Sequence, residues 1–308
     1  MKMLMVGAGA IGGYFGARLL EKGEDVTFLV REGRKEKIER QGLRVNSRHG
    51  DLHLRPALLT KTMQAEPFEV IILTTKAYQL EQAIEDIRPF VGEETMILPL
   101  LNGIAHIDQL ISAFGEEAVI GGLCFIESTV DEDGGVVQTS PIHQLVYGER
   151  SGEQTERIEK LKSHFDGTTA EFVLSGNINQ DMWHKYMFIT AMSGITSLME
   201  SPLGPIRELP SGQTAIKSLL DELESAMTAM EAPIKQGIAD IQLEKVNSMD
   251  ASMKSSMQRD MEKGQGIEAD HLQGYLIEKA HEANVSVPVL ETVYTKLKLY
   301  EANRNKEK

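Results

Sequence analysis

Cysteine is almost absent from this chain of 308 residues, Cys124 being the only one. A single thiol forbids any intrachain disulfide, so packing must hold the fold, and a reducing compartment, the cytoplasm by default, is the expectation. Basic charge is short as well. Lysine and arginine number 32 against 46 aspartates and glutamates, a formal charge of −14. That balance argues against a nucleic-acid or anionic-membrane partner, since phosphates and lipid headgroups would be repelled at long range, though it leaves room for a local basic pocket. Long apolar runs are missing too, and no uncharged stretch reaches the ~18 residues of a membrane span. The start, Met1 to Leu20, imitates a signal peptide, but Arg18 interrupts it and no cleavage pattern follows. Repeats and low-complexity segments are likewise absent. What remains, 41% hydrophobic and 25% charged residues, is an ordinary globular composition. At ~150 residues per domain the length suggests two domains.

The first half alternates strands and helices. KMLMVG (Lys2 to Gly7) is a short apolar strand with nothing polar after Lys2, the pattern of a strand buried on both faces. Ile11, Phe15, Leu19 and Leu20 then recur at helical spacing up to the stop signal Gly23, and DVTFLVR (Asp25 to Arg31) is a second strand, completing a βαβ unit. Leu43 to Asn46 and Leu52 to Leu59 read as strands paired about the turn His49, Gly50, Asp51. Apolar strands follow at Glu69 to Lys76, Met96 to Leu101 and Val119 to Phe125, with a helix at Ala77 to Ile87. Val136 to Gln138 and His143 to Tyr147 suggest an antiparallel edge pair, and Ala170 to Leu174 a last strand. The expected class is α/β, an N-terminal Rossmann-type doubly wound sheet.

Beyond about Ser175 strand-like runs vanish and a period of 3.6 residues takes over, which predicts an all-helical C-terminal domain. The expected division is 1–175 and 176–308. Helices are predicted at Gln180 to Met199, Thr214 to Glu231, Lys235 to Asn247, Ser252 to Lys263, Glu268 to Ala283 and Val289 to Ala302, with a charged tail, Glu301 to Lys308, that should fray. Ten of the fifteen methionines fall between Met182 and Met261. Their helical spacing reads as core filling by a flexible side chain rather than a copper or cofactor site.

Gly7, Gly9 and Gly12 form G-x-G-x-x-G between a buried strand and a periodic helix. In that context the glycines permit the tight turn, the approach of a pyrophosphate to the backbone of Gly9, Ala10 and Ile11, and close helix–strand packing, with the helix N-terminus facing the phosphate charge. The end of the second strand sets the choice of cofactor. An NAD site usually carries an acid there for the ribose 2′-hydroxyl, whereas this chain has Arg31, with Arg34 and Lys35 nearby. A guanidinium can bond a 2′-phosphate that an acid would repel, so NADP(H) is expected over NAD(H); the alternative is a solvated strand-end charge.

Further segments stand in a telling order: TTKAYQ at Thr74 to Gln79, LNG at Leu101 to Gly103, Asn177 and Ile178 followed by the W-x-K of Trp183 and Lys185, SSMQRD at Ser255 to Asp260, and IEADHLQG at Ile267 to Gly274. Together these resemble the ketopantoate reductases, also called 2-dehydropantoate 2-reductases, across nearly the whole chain. The resemblance implies NADPH on a Rossmann domain, a small 2-oxo acid closed in by a helical domain that also serves dimerisation, a cleft between the two, and a route to pantothenate and coenzyme A. It makes Lys185 the proton donor and gives Lys76, Asn102, Ile126 and Glu268 to the cofactor. Asn102, Lys185 and Ser256 go to the substrate, Ser256 at its carboxylate. A homodimer is suggested by family habit.

Chemistry accounts for the lysine. As hydride reaches a ketone carbon the oxygen becomes an alkoxide, which a buried ammonium both stabilises and protonates; without the motif, Lys185 would read as a snorkelling surface charge. Ser256 and Glu268 taken alone could equally be a helix cap and a solvated acid. Four positions depart from the family's pattern of asparagines: Ile189, Ser193, Leu203 and Met253. Losing amide donors suggests a less polar 2-oxo acid or a rearranged pocket. A non-catalytic NADP(H)-binding redox sensor is the alternative of a different class. No metal is expected: His49 and His53 lie four apart in a hairpin without a partner at ligand spacing. Cys124 reads as a core residue, and His184 is given no chemistry.

Overall fold

A computed structural model of the chain describes residues 1–306. The contacts divide it into two compact units, Met1–Leu101 with His106–Asn179, and Asn102–Ala105 with the chain from Gln180 onward.

The first unit contains ten strands and five α-helices among its described residues: β1 (Lys2–Val6), α1 (Ala10–Lys22), β2 (Asp25–Leu29), α2 (Glu32–Gln41), β3 (Leu43–Ser47), β4 (Leu52–Leu54), β5 (Ala57–Leu59), β6 (Phe68–Leu73), α3 (Leu80–Ile87), β7 (Val91–Pro99), α4 (His106–Phe114), β8 (Gly121–Val130), β9 (Val136–Gly148), α5 (Glu156–Phe165) and β10 (Glu171–Leu174). One sheet has the order β5-β2-β1-β6-β7 and its pairs are all parallel. β1 lies at its centre, where Met3, Leu4 and Met5 are fully buried, as an apolar strand covered on both faces must be. The second sheet runs β10-β9-β3-β4, with β8 antiparallel to β9.

Two strand expectations are corrected. Leu52 to Leu59 is not one strand: β4 pairs with β3, whereas β5 joins the other sheet beside β2. Pro56 lies in the break, and a residue without an N–H cannot donate to a ladder. Nor do Val136 to Gln138 and His143 to Tyr147 pair with each other; both belong to β9, whose antiparallel partner is β8. Helix α2 was not foreseen because EGRKEKIERQ buries only Ile38 and so carries no apolar stripe. The unforeseen α5 does carry one, Ile158, Leu161 and Phe165, over only ten residues.

The second unit is helical: α6 (Ile178–Met199), α7 (Leu203–Glu208), α8 (Pro210–Ala229), α9 (Ile238–Ser248), α10 (Ser256–Glu262), α11 (Tyr275–Glu282), entered through a π-helical turn at Asp270–Gly274, and α12 (Pro288–Lys306). The described part of the charged tail is therefore helical, and Glu307 and Lys308 lie outside the described residues. Met182, Met187, Met192, Met227 and Met257 are buried in the core. The first two residues of α6 count with the first unit, since Ile178 fills the space beside Gly121 and Gly148 and the Asn179 amide donates to the Arg150 carbonyl at 2.7 Å. The LNG loop, by contrast, leaves the strand that precedes it and counts with the helices: Gly103 has φ +92°, and a Cβ there would meet the His271 carbonyl at 3.2 Å.

Candidate active site

In the first unit the glycine loop is defined by what a side chain would strike. Gly7 turns the chain at φ +97° out of β1, its N–H donating to the Leu29 carbonyl at 3.0 Å. A Cβ on Gly12 would run into the Gly7 carbonyl and the Thr74 hydroxyl, so the third glycine brings α1 against the strand end. Gly9 is the opposite case: a Cβ there would meet nothing within 4 Å. Helix α1 begins at Ala10 with no side-chain cap and no acid in its first turn. Backbone N–H groups at a helix start, with open space before them, suit an anion; the loop fits a dinucleotide phosphate.

Side chains from three other elements, the end of β6, β8 and α2, bond the backbone around this loop. Thr74, after β6, donates its hydroxyl to the Val6 carbonyl at 2.8 Å, and Ser128 on β8 donates to the Ala10 carbonyl at 2.9 Å. Arg34 donates to the Ala8 carbonyl at 2.7 Å; burial pulls its pKa below the usual arginine value, and Asp131 opposes that shift. Arg31 is exposed and occupies the N-cap position of α2. Lys76 is also exposed, immediately after β6. Ile126 lies on β8 beside a register irregularity, half-buried against the core of this unit. Of the basic residues at the second strand's end, the structure thus holds Arg34 on the loop and leaves Arg31 open to solvent.

Within the second unit Lys185 and Asn102 come together. Lys185 is 9% exposed, on α6, and its Nζ donates to Asn102 Oδ1 at 3.2 Å. Eighty-three residues separate the two in sequence. The next residue, Tyr186, is fully buried and donates its hydroxyl to the Leu272 carbonyl at 2.5 Å, so α6 is tied to the π-helical turn at the level of the lysine. Burial pushes the Tyr186 phenol well above its ordinary value, leaving it neutral. Glu268 is buried just before that turn, and its carbonyl accepts from Leu272 N. Ser256 is exposed at the first residue of α10. The capping is done by Ser255, whose hydroxyl accepts from Gln258 N at 3.0 Å and from Thr196 on α6 at 2.7 Å.

Residues at the departing positions have local explanations. Ser193, one of them, accepts a hydrogen bond at 2.9 Å from the amide of Gln273, a fully buried side chain in the π-helical turn that also donates to the Thr190 carbonyl at 3.2 Å. The Gln273 Oε1 has no hydrogen-bond partner among the described residues. Leu203 is fully buried, and its N–H donates to the Met253 carbonyl at 3.0 Å, so those two positions meet through backbone. Gln273 and Lys245, whose Nζ lies 4.2 Å from the Phe188 ring centroid, were not foreseen. A buried glutamine has a sequence signal only through the motif that contains it, and Lys245 has none. Among the described residues no group of three or more metal-ligating side chains occurs, and no helix is long and apolar enough to cross a membrane.

Comparison with known proteins agrees over both units. The family Ketopantoate reductase PanE/ApbA matches residues 3–152, and its C-terminal counterpart, Ketopantoate reductase PanE/ApbA C terminal, matches residues 177–301. The chain is 46% identical over 304 residues to the Bacillus subtilis (strain 168) protein called uncharacterized oxidoreductase YkpB, covering 99% of this chain and all of that one. A crystal structure of 2-dehydropantoate 2-reductase from Geobacter metallireducens GS-15 is similar at TM-score 0.87 and 28% identity, covering 97% of this chain and 99% of the other. A D-mandelate dehydrogenase, in a ternary structure with NADH and anilino(oxo)acetate, shares the fold at TM-score 0.89 and 20% identity, covering 99% of this chain and all of the other.

Proposed function

The chain belongs to the ketopantoate reductase family, and from that premise we propose that it is an NADPH-dependent reductase of a 2-oxo acid, with 2-dehydropantoate the first substrate to test. The observation that carries this reading is the buried Lys185 ammonium hydrogen-bonded to Asn102. When bound, the nicotinamide supplies a hydride to the carbonyl carbon. Lys185 does the rest at the oxygen: as the C–H bond forms and the C=O π pair moves onto oxygen, its ammonium stabilises the alkoxide and then gives it the proton. Solvent reprotonates the lysine. An oriented donor of this kind contributes roughly 3–4 kcal/mol to such a step. Asn102 holds the ammonium through Oδ1, which leaves its Nδ2 able to donate to the same substrate oxygen.

NADPH rather than NADH is proposed on the basic residues after β2, Arg31 at the strand end and Arg34 on the loop, whose guanidinium groups can bond a 2′-phosphate, with Glu32 between them in the first turn of α2. The loop of Gly7, Gly9 and Gly12 would hold the pyrophosphate, with Lys76, Ile126 and Glu268 as further cofactor contacts and Ser256 at the substrate carboxylate. A product on the way to pantothenate and coenzyme A, made in the cytoplasm, follows if 2-dehydropantoate is the substrate. Phe188 and Ile189, within one turn of Lys185 on α6, favour a second reading, a less polar branched 2-oxo acid. The D-mandelate dehydrogenase with NADH and anilino(oxo)acetate shows that this fold by itself chooses neither the acid nor the cofactor.

The test is NADPH oxidation by the purified protein with 2-dehydropantoate beside a panel of branched 2-oxo acids and an NADH control. Saturable turnover at ~10⁴ M⁻¹s⁻¹ or better with 2-dehydropantoate establishes the first reading. Turnover only with another oxo acid establishes the second. Cofactor binding with no turnover of any oxo acid refutes both and leaves the redox sensor.

A further inference from the structure

Helix α9 is fixed with unusual care for eleven residues. At its N-terminus the Glu224 carboxylate accepts from the backbone N–H groups of Gly237, Ile238 and Ala239 at 2.7, 3.1 and 3.3 Å. At its C-terminus the Arg207 guanidinium donates to the carbonyls of Val246, Asn247 and Met249 at 2.7, 2.7 and 2.9 Å. Both charges complement the helix dipole. Midway, Gln242 Nε2 donates to the His184 carbonyl at 3.1 Å and so joins α9 to α6 beside Lys185.

One turn further along each helix, Lys245 meets Phe188. Its Nζ lies 4.2 Å from the ring centroid, and Phe188 stands three residues after Lys185, on the same side of α6. Lys245 as a residue is exposed, with its ammonium over the face of the Phe188 ring. Desolvation lowers the Lys245 pKa from the ordinary lysine value, and the charge of Lys185 lowers it further. With Phe188 one turn from Lys185 on α6, Lys245 over its ring brings a second cation to the Lys185 side of that helix.

We propose that Lys245 and Lys185 form one anion subsite, in which Lys245 holds the carboxylate of the 2-oxo acid while Lys185 addresses the adjacent carbonyl oxygen. The inference rests on the reductase reading above and adds a charge to the carboxylate contact that the family resemblance gives to the Ser256 hydroxyl. A 2-oxo acid suits the pair because its carboxylate and carbonyl oxygens are joined through a single C–C bond. Lys245 is then a specificity residue: it selects acids over their neutral analogues.

The experiment compares 3-methyl-2-oxobutanoate with its primary amide as substrates, using wild type, Lys245→Met and Lys245→Arg. Methionine keeps the packing on Phe188 and removes the charge. The expected result is a KM for the acid raised roughly tenfold or more in Lys245→Met, from the loss of a charged hydrogen bond, with kcat and the KM for the amide little changed and the arginine variant close to wild type. An acid-to-amide preference identical in wild type and Lys245→Met overturns the proposal. Calorimetric titration of the NADP⁺-loaded protein with oxamate, an unreactive 2-oxo acid mimic, separates this from failure of the reductase reading. Weaker oxamate binding by Lys245→Met supports the subsite whether or not the substrates turn over, and equal binding overturns it while leaving the reductase intact. Wild type that neither binds oxamate nor turns over any oxo acid overturns both.

Discussion

The glycine loop and the Lys185 site are built on opposite plans. The loop is local and made of backbone: a few consecutive residues after β1 present N–H groups, and glycines are required because side chains would fill the space or strike a carbonyl. The Lys185 site is made of side chains drawn from sequence-distant segments: Asn102 on a loop meets Lys185 on α6, and Lys245 on α9 lies over Phe188, one turn from that lysine. A site of the first kind fails when its geometry is filled. One of the second kind fails one function at a time, as each side chain is removed.

Breaking that contrast most sharply, Lys185→Ala should reduce turnover by roughly 10²–10⁴-fold, the usual contribution of a general acid, and leave NADPH affinity within about twofold, as steady-state kinetics and fluorescence titration would show. A parallel loss of cofactor affinity would mean the two sites are not separable. Gly12→Ala is the converse test. Its Cβ meets the Gly7 carbonyl and the Thr74 hydroxyl, so NADPH and NADH affinity should fall together, at least tenfold, with roughly 1–3 kcal/mol of lost stability from overpacking. Replacing Arg31 by alanine refines the loop half: NADPH binding should weaken by roughly tenfold, the scale of a lost charged hydrogen bond, while NADH is nearly untouched. An equal effect on both would remove Arg31 from the 2′-phosphate and point to Arg34, the guanidinium that the structure holds on the loop.

The smallest expected effect concerns the sheet unit away from either site. His143 is buried, accepts or donates at 2.6 Å with the Tyr14 hydroxyl, and stacks on His49 with ring centroids 3.6 Å apart. Desolvation first, then the charges of His49 and Arg18, hold its pKa below the ordinary histidine value. A histidine depressed in the folded state binds fewer protons than in the unfolded chain, so its contribution to stability is complete above about pH 6.5 and is lost as the pH falls below that value. Thermal unfolding should show stability falling from pH 7 to pH 5, and His143→Gln should reduce that fall. A pH response unchanged in the variant would assign it to other groups.

The same contrast explains what could be read from the sequence. The glycine spacing, the buried β1 and the switch to a helical C-terminal half were legible because each is a local pattern with a fixed period. Lys185, Asn102, Ser256 and Glu268 became candidates only through motif resemblance, since nothing in their own neighbourhoods sets them apart from surface or capping residues. The capping hydroxyl proved to be that of Ser255, one residue from Ser256. Lys245 had no signal, because its meaning depends on how α9 lies on α6. The strand errors share a cause: β4, β5 and β9 are apolar segments whose partners are set by tertiary pairing, and a period of two does not say which sheet a strand joins.

In the proposed reaction the loop holds the pyrophosphate of NADPH, and Lys185 finishes the reduction of a 2-oxo acid. Incubation of the protein with NADPH deuterated at C4 of the nicotinamide and the best substrate of the panel, followed by mass spectrometry of the product, tests it most directly. The account predicts a 2-hydroxy acid carrying one deuterium at C2 from wild type and almost none from Lys185→Ala. Labelled cofactor that binds yet delivers no deuterium to any 2-oxo acid, or a Lys185→Ala enzyme that delivers it as fast as wild type, would contradict it.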